Sequence, residues 1–290
     1  MLTSTNLWMS FAGIVFLVAG VVIRRSKIRA ARGLDKFIVL GPVFFAASLA
    51  AFAPEHFHGP DFIKGMVPKW MPLHMFWVYL VGCALIAAAI GLTVRKFERL
   101  SATLLGSMFF LFVCLIYLPS VIRHPKVPLA WAIMFRDLSF AGGAWALAGA
   151  QRSKWMVAFG RIVIAIAAIF FAFDYFFHPH LLPGVPLQLE TPTWIPLPAV
   201  WGYLTGAILL VSGIPLLLNI RPRIASASIG VLMTVLTAFP YLLILIHALG
   251  GSDTEINTAL NNIADTLLYA GAALAVALAS PGTPARVEFT

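Results

Sequence analysis

The sequence predicts an all-α integral membrane protein: nine transmembrane helices, arranged as one lead helix and two pseudo-symmetric four-helix bundles. Three observations lead there. First, 61% of the 290 residues are hydrophobic, only 11% are charged, and the mean hydropathy is +0.93. A soluble domain carries roughly 25% charged residues, so these charges cannot cover a globular surface, and disorder is excluded with it. Second, the chain reads as apolar runs separated by short polar joints. Third, it repeats itself. Nine helices of about 20 residues need roughly 180 apolar positions, which the composition supplies.

The elements follow in order. Charge-free runs cover 1–23, 37–54, 70–94, 100–122, 191–220 and 224–252. Three further runs hold internal charges: 127–150 with Arg136 and Asp137, 155–177 with Arg161 and Asp174, and 256–280 with Asp265. The expected helices are about 7–23, 37–54, 73–94, 101–119, 129–150, 157–177, 198–218, 224–247 and 257–279. The first run is not expected to be a cleaved signal peptide, because its positive charges follow the apolar stretch and no small-x-small site comes after it.

The joints alternate in charge. Fifteen of the 20 Lys and Arg residues fall on one set: Arg24 to Lys36, Arg95 to Arg99, Arg152 to Arg161, Arg221 with Arg223, and Arg286. Lys64, Lys69, Arg123 and Lys126 fall on the other, and Arg136 lies within a helix. The excess of basic residues marks the cytoplasmic side. The N-terminus is then expected outside and the C-terminus in the cytoplasm, as in a multi-pass protein of a bacterial cytoplasmic (inner) membrane. The formal charge of +9 is read in the same way, with the lipid bilayer and not nucleic acid as the partner.

The repeat is the most informative feature. PKWMPLHMFWVYLVG at 68–82 returns as PTWIPLPAVWGYLTG at 192–206. At an offset of 124, Pro68, Trp70, Pro72, Trp77, Tyr79 and Gly82 meet Pro192, Trp194, Pro196, Trp201, Tyr203 and Gly206. The same offset carries Arg99 onto Arg223, Gly106 onto Gly230 and Tyr117 onto Tyr241, while Asp137 meets Asp265 at 128. The expected organisation is a lead helix and basic joint at 1–35, a first unit at 36–150, a second at 151–280 and a tail at 281–290. An even number of helices per unit predicts a pseudo-two-fold axis along the membrane normal.

Each unit has a helix ending in aromatic residues and histidine, a proline-containing outer loop, and a helix opening as P-x-W-x-P. The fourth helix carries an acidic residue followed by small ones, in RDLSFAGGAWALA and ADTLLYAGAALAVA. This pattern, above all EHFHGPDFIKGMVPKWMP, resembles the DoxX family of four-helix bacterial membrane proteins, here as a tandem with an extra N-terminal helix. The resemblance covers both repeats and leaves out residues 1–35. It implies a membrane subunit of a redox or quinone-linked system, with redox partner subunits and a quinone as the cofactor it admits. It transfers no catalytic motif, and the two cysteines, Cys83 and Cys114, are isolated in apolar runs.

Four charges lie within helices, Arg136, Asp137, Asp174 and Asp265. An unpaired charge at the bilayer centre costs at least about 2.5–3.5 kcal/mol, so these residues are expected to pair. They form either a structural pair that sets helix register or a ligand or proton site, with Trp77 and Trp201 as the candidate aromatic wall of a pocket. The tryptophans are otherwise an interfacial aromatic belt. All seven histidines fall on the expected outer side. His56 with His58, and His178 with His180, are H-x-H pairs at equivalent places, able to supply four nitrogens to a metal if brought together. Interfacial packing is the simpler account, and a metal or haem is not the expectation. The leading functional reading is a membrane subunit with a quinone-holding pocket open to the outer leaflet. A non-enzymatic scaffold or assembly factor and a small-solute transporter are the alternatives.

Overall fold

The structure, a computed structural model, describes residues 3–281 except Pro186; Arg286 and the tail beyond Pro281 lie outside the described residues. The chain is helical, and eight of its helices are long and apolar enough to cross a membrane. In chain order the long helices are α1 (Ser4–Ala30), α2 (Asp35–Phe52), α3 (His74–Val94), α4 (Glu98–Arg123), α5 (Pro128–Gly149), α6 (Lys154–Phe177), α7 (Pro198–Leu217), α8 (Pro222–Ala248) and α9 (Asp253–Ala279). Two short turns follow α2: Glu55–His58, which extends it, and Pro60–Lys64. α5 stands outside the eight: it has the length, 22 residues, but Arg136 and Asp137 lie inside it and much of the rest is Ala and Gly.

The ends have local causes. Pro128, Pro198 and Pro222 open α5, α7 and α8, where a missing N–H is harmless. Ser252 and Glu255 form a reciprocal capping box at the start of α9. α1 continues through Arg24, Arg25, Lys27 and Arg29 to Ala30, so the expected joint at 24–36 shrinks to a short turn with Gly33 at φ +51°. Arg and Lys are good helix formers, so the end of the apolar run was not the end of the helix.

Backbone irregularities recur at the spacing seen in the sequence. Leu73 and Leu197 both adopt the left-handed conformation, φ 55° and ψ 51°, immediately before α3 and α7. Arg95 and Asn219, again 124 apart, have φ 67° and 59° just after those helices. α4 and α8 each contain a five-residue π-turn, at Val113–Tyr117 and Thr237–Tyr241. An inserted π-turn displaces the residues after it around the axis, and here each one ends on a tyrosine.

Packing interleaves the two repeats. α2 packs against α3 and α9, α5 against α4 and α6, and α5 meets α9 between them. The first helix of one repeat therefore lies on the last helix of the other, and one continuous apolar core draws on both. The expected separate bundles are to that extent merged. Glycine makes the approach close: a Cβ on Gly271 would run into the α2 backbone at Gly41 and Phe45, and one on Gly160 into Gly142 of α5. α1 lies outside the ring against α2 and presents Leu7, Phe11, Ile14 and Val18 outward.

The basic end of the bundle is tied by charge. Arg24 of α1 is 3% exposed and donates to Glu98 Oε1 of α4 at 2.8 Å. Arg223 of α8 donates to Asp35 Oδ1 of α2 at 2.7 Å. Arg161 of α6 caps α7, donating to the Leu216 and Leu217 carbonyls at 2.7 Å each, a favourable use of arginine at a helix C-terminus.

Candidate functional site

The charged residues of α5 and α9 meet where the two helices cross. Arg136 donates through Nε to Asp137 Oδ1 at 2.8 Å and through a terminal nitrogen to Asp265 Oδ2 at 2.9 Å. Only 15%, 4% and 11% of these three side chains is exposed, so the Coulomb attraction is weakly screened. The guanidinium also lies 5.8 Å from the Phe140 ring centroid, within cation–π range. Tyr117, from the first π-turn, sits beside Asp137, and Tyr241, from the second, sits beside Thr266, the residue after Asp265. Each repeat thus delivers a tyrosine on a π-turn and an aspartate on its last helix. The arginine is present once, because Ala264 occupies its place in the second copy.

Asp174 stands apart from this cluster. Its Oδ1 is 2.9 Å from His178 Nδ1 one turn on, and its Oδ2 accepts from Gln188 Nε2 at 3.2 Å. It braces the loop that follows α6, where Leu181 and Glu190 form an antiparallel bridge. The Tyr175 hydroxyl supports the same loop by donating to the Leu182 carbonyl at 2.9 Å. In the first repeat the corresponding histidine, His56, is buried with Nδ1 3.2 Å from the Phe52 carbonyl. The four histidines His56, His58, His178 and His180 are not gathered: among the described residues no group of three or more His, Cys, Asp or Glu could hold a metal. Cys83 and Cys114 are free.

The equivalent tryptophans have diverged. Trp77 donates to the Pro72 carbonyl at 2.9 Å. Trp201 packs at a tilt against Phe239, centroids 5.6 Å apart. With Trp194, Pro240, Leu243 and Thr191 it borders a cavity of about 280 Å³ between the loop before α7, α7 itself and α8. Thr191 is 8% exposed, and its hydroxyl is buried without a hydrogen-bond partner. Arg136, Asp137 and Asp265 do not border this cavity, so the expected pocket beside Arg136 and the tryptophan-lined one are different places.

Sequence reasoning missed a second polar feature. Glu55 Oε1 accepts from Asn257 Nδ2 at 3.0 Å and Asn261 Nδ2 at 2.7 Å. Asn257 Nδ2 also reaches Asn6 Oδ1 at 3.2 Å, and Asn6 Nδ2 donates to the Asp253 carbonyl at 3.0 Å. The signal was legible, since Asp253, Asn257, Asn261 and Asp265 recur every four residues on one helix.

The family described as "Domain of unknown function (DUF8561)" matches residues 45–136, from the middle of α2 to Arg136. That span falls within the first repeat and covers under a third of the chain. No curated protein and no solved structure matches the chain.

Proposed function

We propose that the chain crosses a bacterial cytoplasmic membrane nine times, N-terminus outside and C-terminus in the cytoplasm, as two repeats related by a two-fold axis along the membrane normal. Its function is to hold a lipid-soluble molecule with a flat ring, of the quinone class, as the membrane subunit of a redox-linked system. The observation that carries this reading is the cavity of about 280 Å³ walled by Trp194, Trp201, Phe239 and Pro240. Apolar and aromatic walls with very few polar groups are what small-molecule sites offer, and the unpartnered Thr191 hydroxyl borders them. The resemblance to DoxX-like proteins supports the redox setting, and the recurrent left-handed leucines and π-turns support the two-fold arrangement.

A scaffold role is the second reading. It is favoured by the Arg136 cluster, whose charges are engaged with one another as a structural clamp would be.

The test is binding of a short-chain quinone to the protein in lipid nanodiscs, read by calorimetry beside mass analysis of extracted lipids. Trp201→Ala should weaken binding at least tenfold, while Trp77→Ala, the equivalent change in the other repeat, should leave it unaltered. No quinone in the extract and no titratable binding would overturn the reading and leave the scaffold.

A further inference from the structure

We infer that Asp265 exchanges a proton with the aqueous phase at the end of the bundle where α9 begins, along a one-sided polar path through Glu55, Asn257 and Asn261. This does not depend on the tryptophan-lined cavity.

Geometry comes first. Residues four apart share a helix face, so α9 presents Asp253, Asn257, Asn261 and Asp265 as one stripe. The first three positions are linked across helices. Thr3 N–H donates to Asp253 Oδ1 at 3.0 Å, and Asn261 Nδ2 reaches Asn257 Oδ1 at 3.0 Å while also donating to Glu55. A cavity of about 260 Å³ enters from that end, bordered by Thr3, Thr5, Asn6, Glu55, Asp253 and Asn257. It is separate from the Arg136 cluster, and Asn257 on its border lies two helical turns from Asp265. Twelve residues of helix separate Asp253 from Asp265, roughly 18 Å of depth. Asn261 and Asp265 lie one helical turn apart on that stripe, which is the last step.

Beyond Asp265 the path stops. α9 continues as Leu268, Ala270, Gly271, Ala272, Ala273 and Leu274, all buried. Tyr269 stands at the blind end, fully buried. Helical side chains lean toward the N-terminus, so its ring lies back toward the level of the cluster.

Charge gives the reason for a proton. Arg136 supplies one positive charge, whereas Asp137, Asp265 and Glu55 together supply three negative ones when ionised. Excess carboxylate charge at this depth is costly, and protonation removes it. Glu55 is held as an acceptor by two amide donors, and Asp137 accepts from Arg136 Nε at 2.8 Å. Asp265, bonded to one nitrogen of Arg136 and on the same α9 stripe as the cavity's Asp253 and Asn257, is the carboxylate left to carry the proton. The groups facing it are Glu55 from α2, Tyr117 from α4, Arg136 and Asp137 from α5, and Tyr241 from α8, with Tyr175 of α6 facing Tyr241; α1 brings the uncharged Asn6. The step balances simply: a hydronium ion gives its proton to an Asp265 oxygen, an O–H bond forms, and water returns to the cavity.

Dicyclohexylcarbodiimide, which reacts with protonated carboxyl groups in apolar surroundings, tests this in sealed proteoliposomes whose inner and outer pH are set separately. Peptide mass mapping reads the labelled residue. Asp265 should be labelled, several-fold faster for each unit by which pH is lowered on the side of the α8–α9 loop, and indifferently to pH on the other side. The double variant Asn257→Leu, Asn261→Leu should keep the label but lose the response to that side within the assay. Labelling of Asp265 that follows the opposite side, ignores both, or fails altogether while the protein elutes as folded would overturn the proposal. So would an unchanged response in the double variant.

Discussion

Arg136 and Asp265, 129 residues apart in the chain, are joined at 2.9 Å across the crossing of α5 and α9. The bond ties the last helix of one repeat to the last helix of the other, and two turns further along the helices touch through Gly143 and Ala272. Removing one member of a buried charge pair costs about 3–5 kcal/mol, because the partner is left uncompensated. Arg136→Met leaves two aspartates in that state. It should lower the thermal midpoint sharply and reduce the yield of monodisperse protein, as read by fluorescence-detected size exclusion. Arg136→Lys keeps the charge but cannot reach both carboxylates in the same planar geometry, and should fall between. Equal stability of Arg136→Met and the parent would remove the clamp.

Close helix approach makes a second prediction. A Cβ on Gly160 would collide with the Gly142 carbonyl and with Ala146, whereas one on Gly59 would meet only the Glu55 carbonyl at an ordinary 3.6 Å. Gly160→Ala should therefore destabilise by about 1–3 kcal/mol, the usual cost of overpacking. Gly59→Ala should be close to neutral. The comparison is a pair of melting curves in one detergent.

Much of this was legible because lipid imposes simple rules. Apolar runs had to be helices, since a buried backbone has no other way to satisfy its hydrogen bonds there. An unpaired arginine among three intramembrane aspartates had to find a partner, and Arg136 does so with Asp137 and Asp265. Asp174 could not be assigned that way, because its partners His178 and Gln188 lie in a loop whose fold leaves no period in the sequence. The π-turns were invisible for the same reason, since a single inserted residue barely alters the apolar pattern of α4 and α8. The interleaving of α2 with α9 was not legible either. It is decided by Gly41 and Gly271, and small residues of that kind occur on many helix faces.

The left-handed leucines yield a third prediction. Leu73 and Leu197 hold φ 55° while 74% and 68% exposed, so neither conformation is bought by burial of the side chain. A non-glycine residue in this region costs roughly 1–2 kcal/mol. Glycine removes that cost and returns about 0.5–1 kcal/mol of it through greater freedom in the unfolded chain. Leu73→Gly and Leu197→Gly should each stabilise by about 0.5–1 kcal/mol, additively, since they occupy separate helix starts. A loss of stability in either would mean that the leucine side chain is held by contacts outweighing its strain.

Topology supplies the last prediction, and α5 decides it. Eight helices are long and apolar enough to cross a membrane, and α5 is not among them because Arg136 and Asp137 lie inside it. Its charges are nevertheless paired, and most of the helix from Ser139 to Gly149 is buried against neighbouring helices. A helix in that position needs no apolar surface of its own facing lipid. If it crosses, the number of spans is odd and the termini lie on opposite sides; if it does not, the segments before and after it share a side. Reporter tags at Lys126 and at Arg152 should therefore report opposite sides, with Arg152 and a tag after Thr290 cytoplasmic and a tag at Gly251 outside. The basic joints at Arg95 and Arg221 agree with that orientation through the positive-inside rule. Tags at Lys126 and Arg152 on one side would remove α5 from the membrane and invert every later helix.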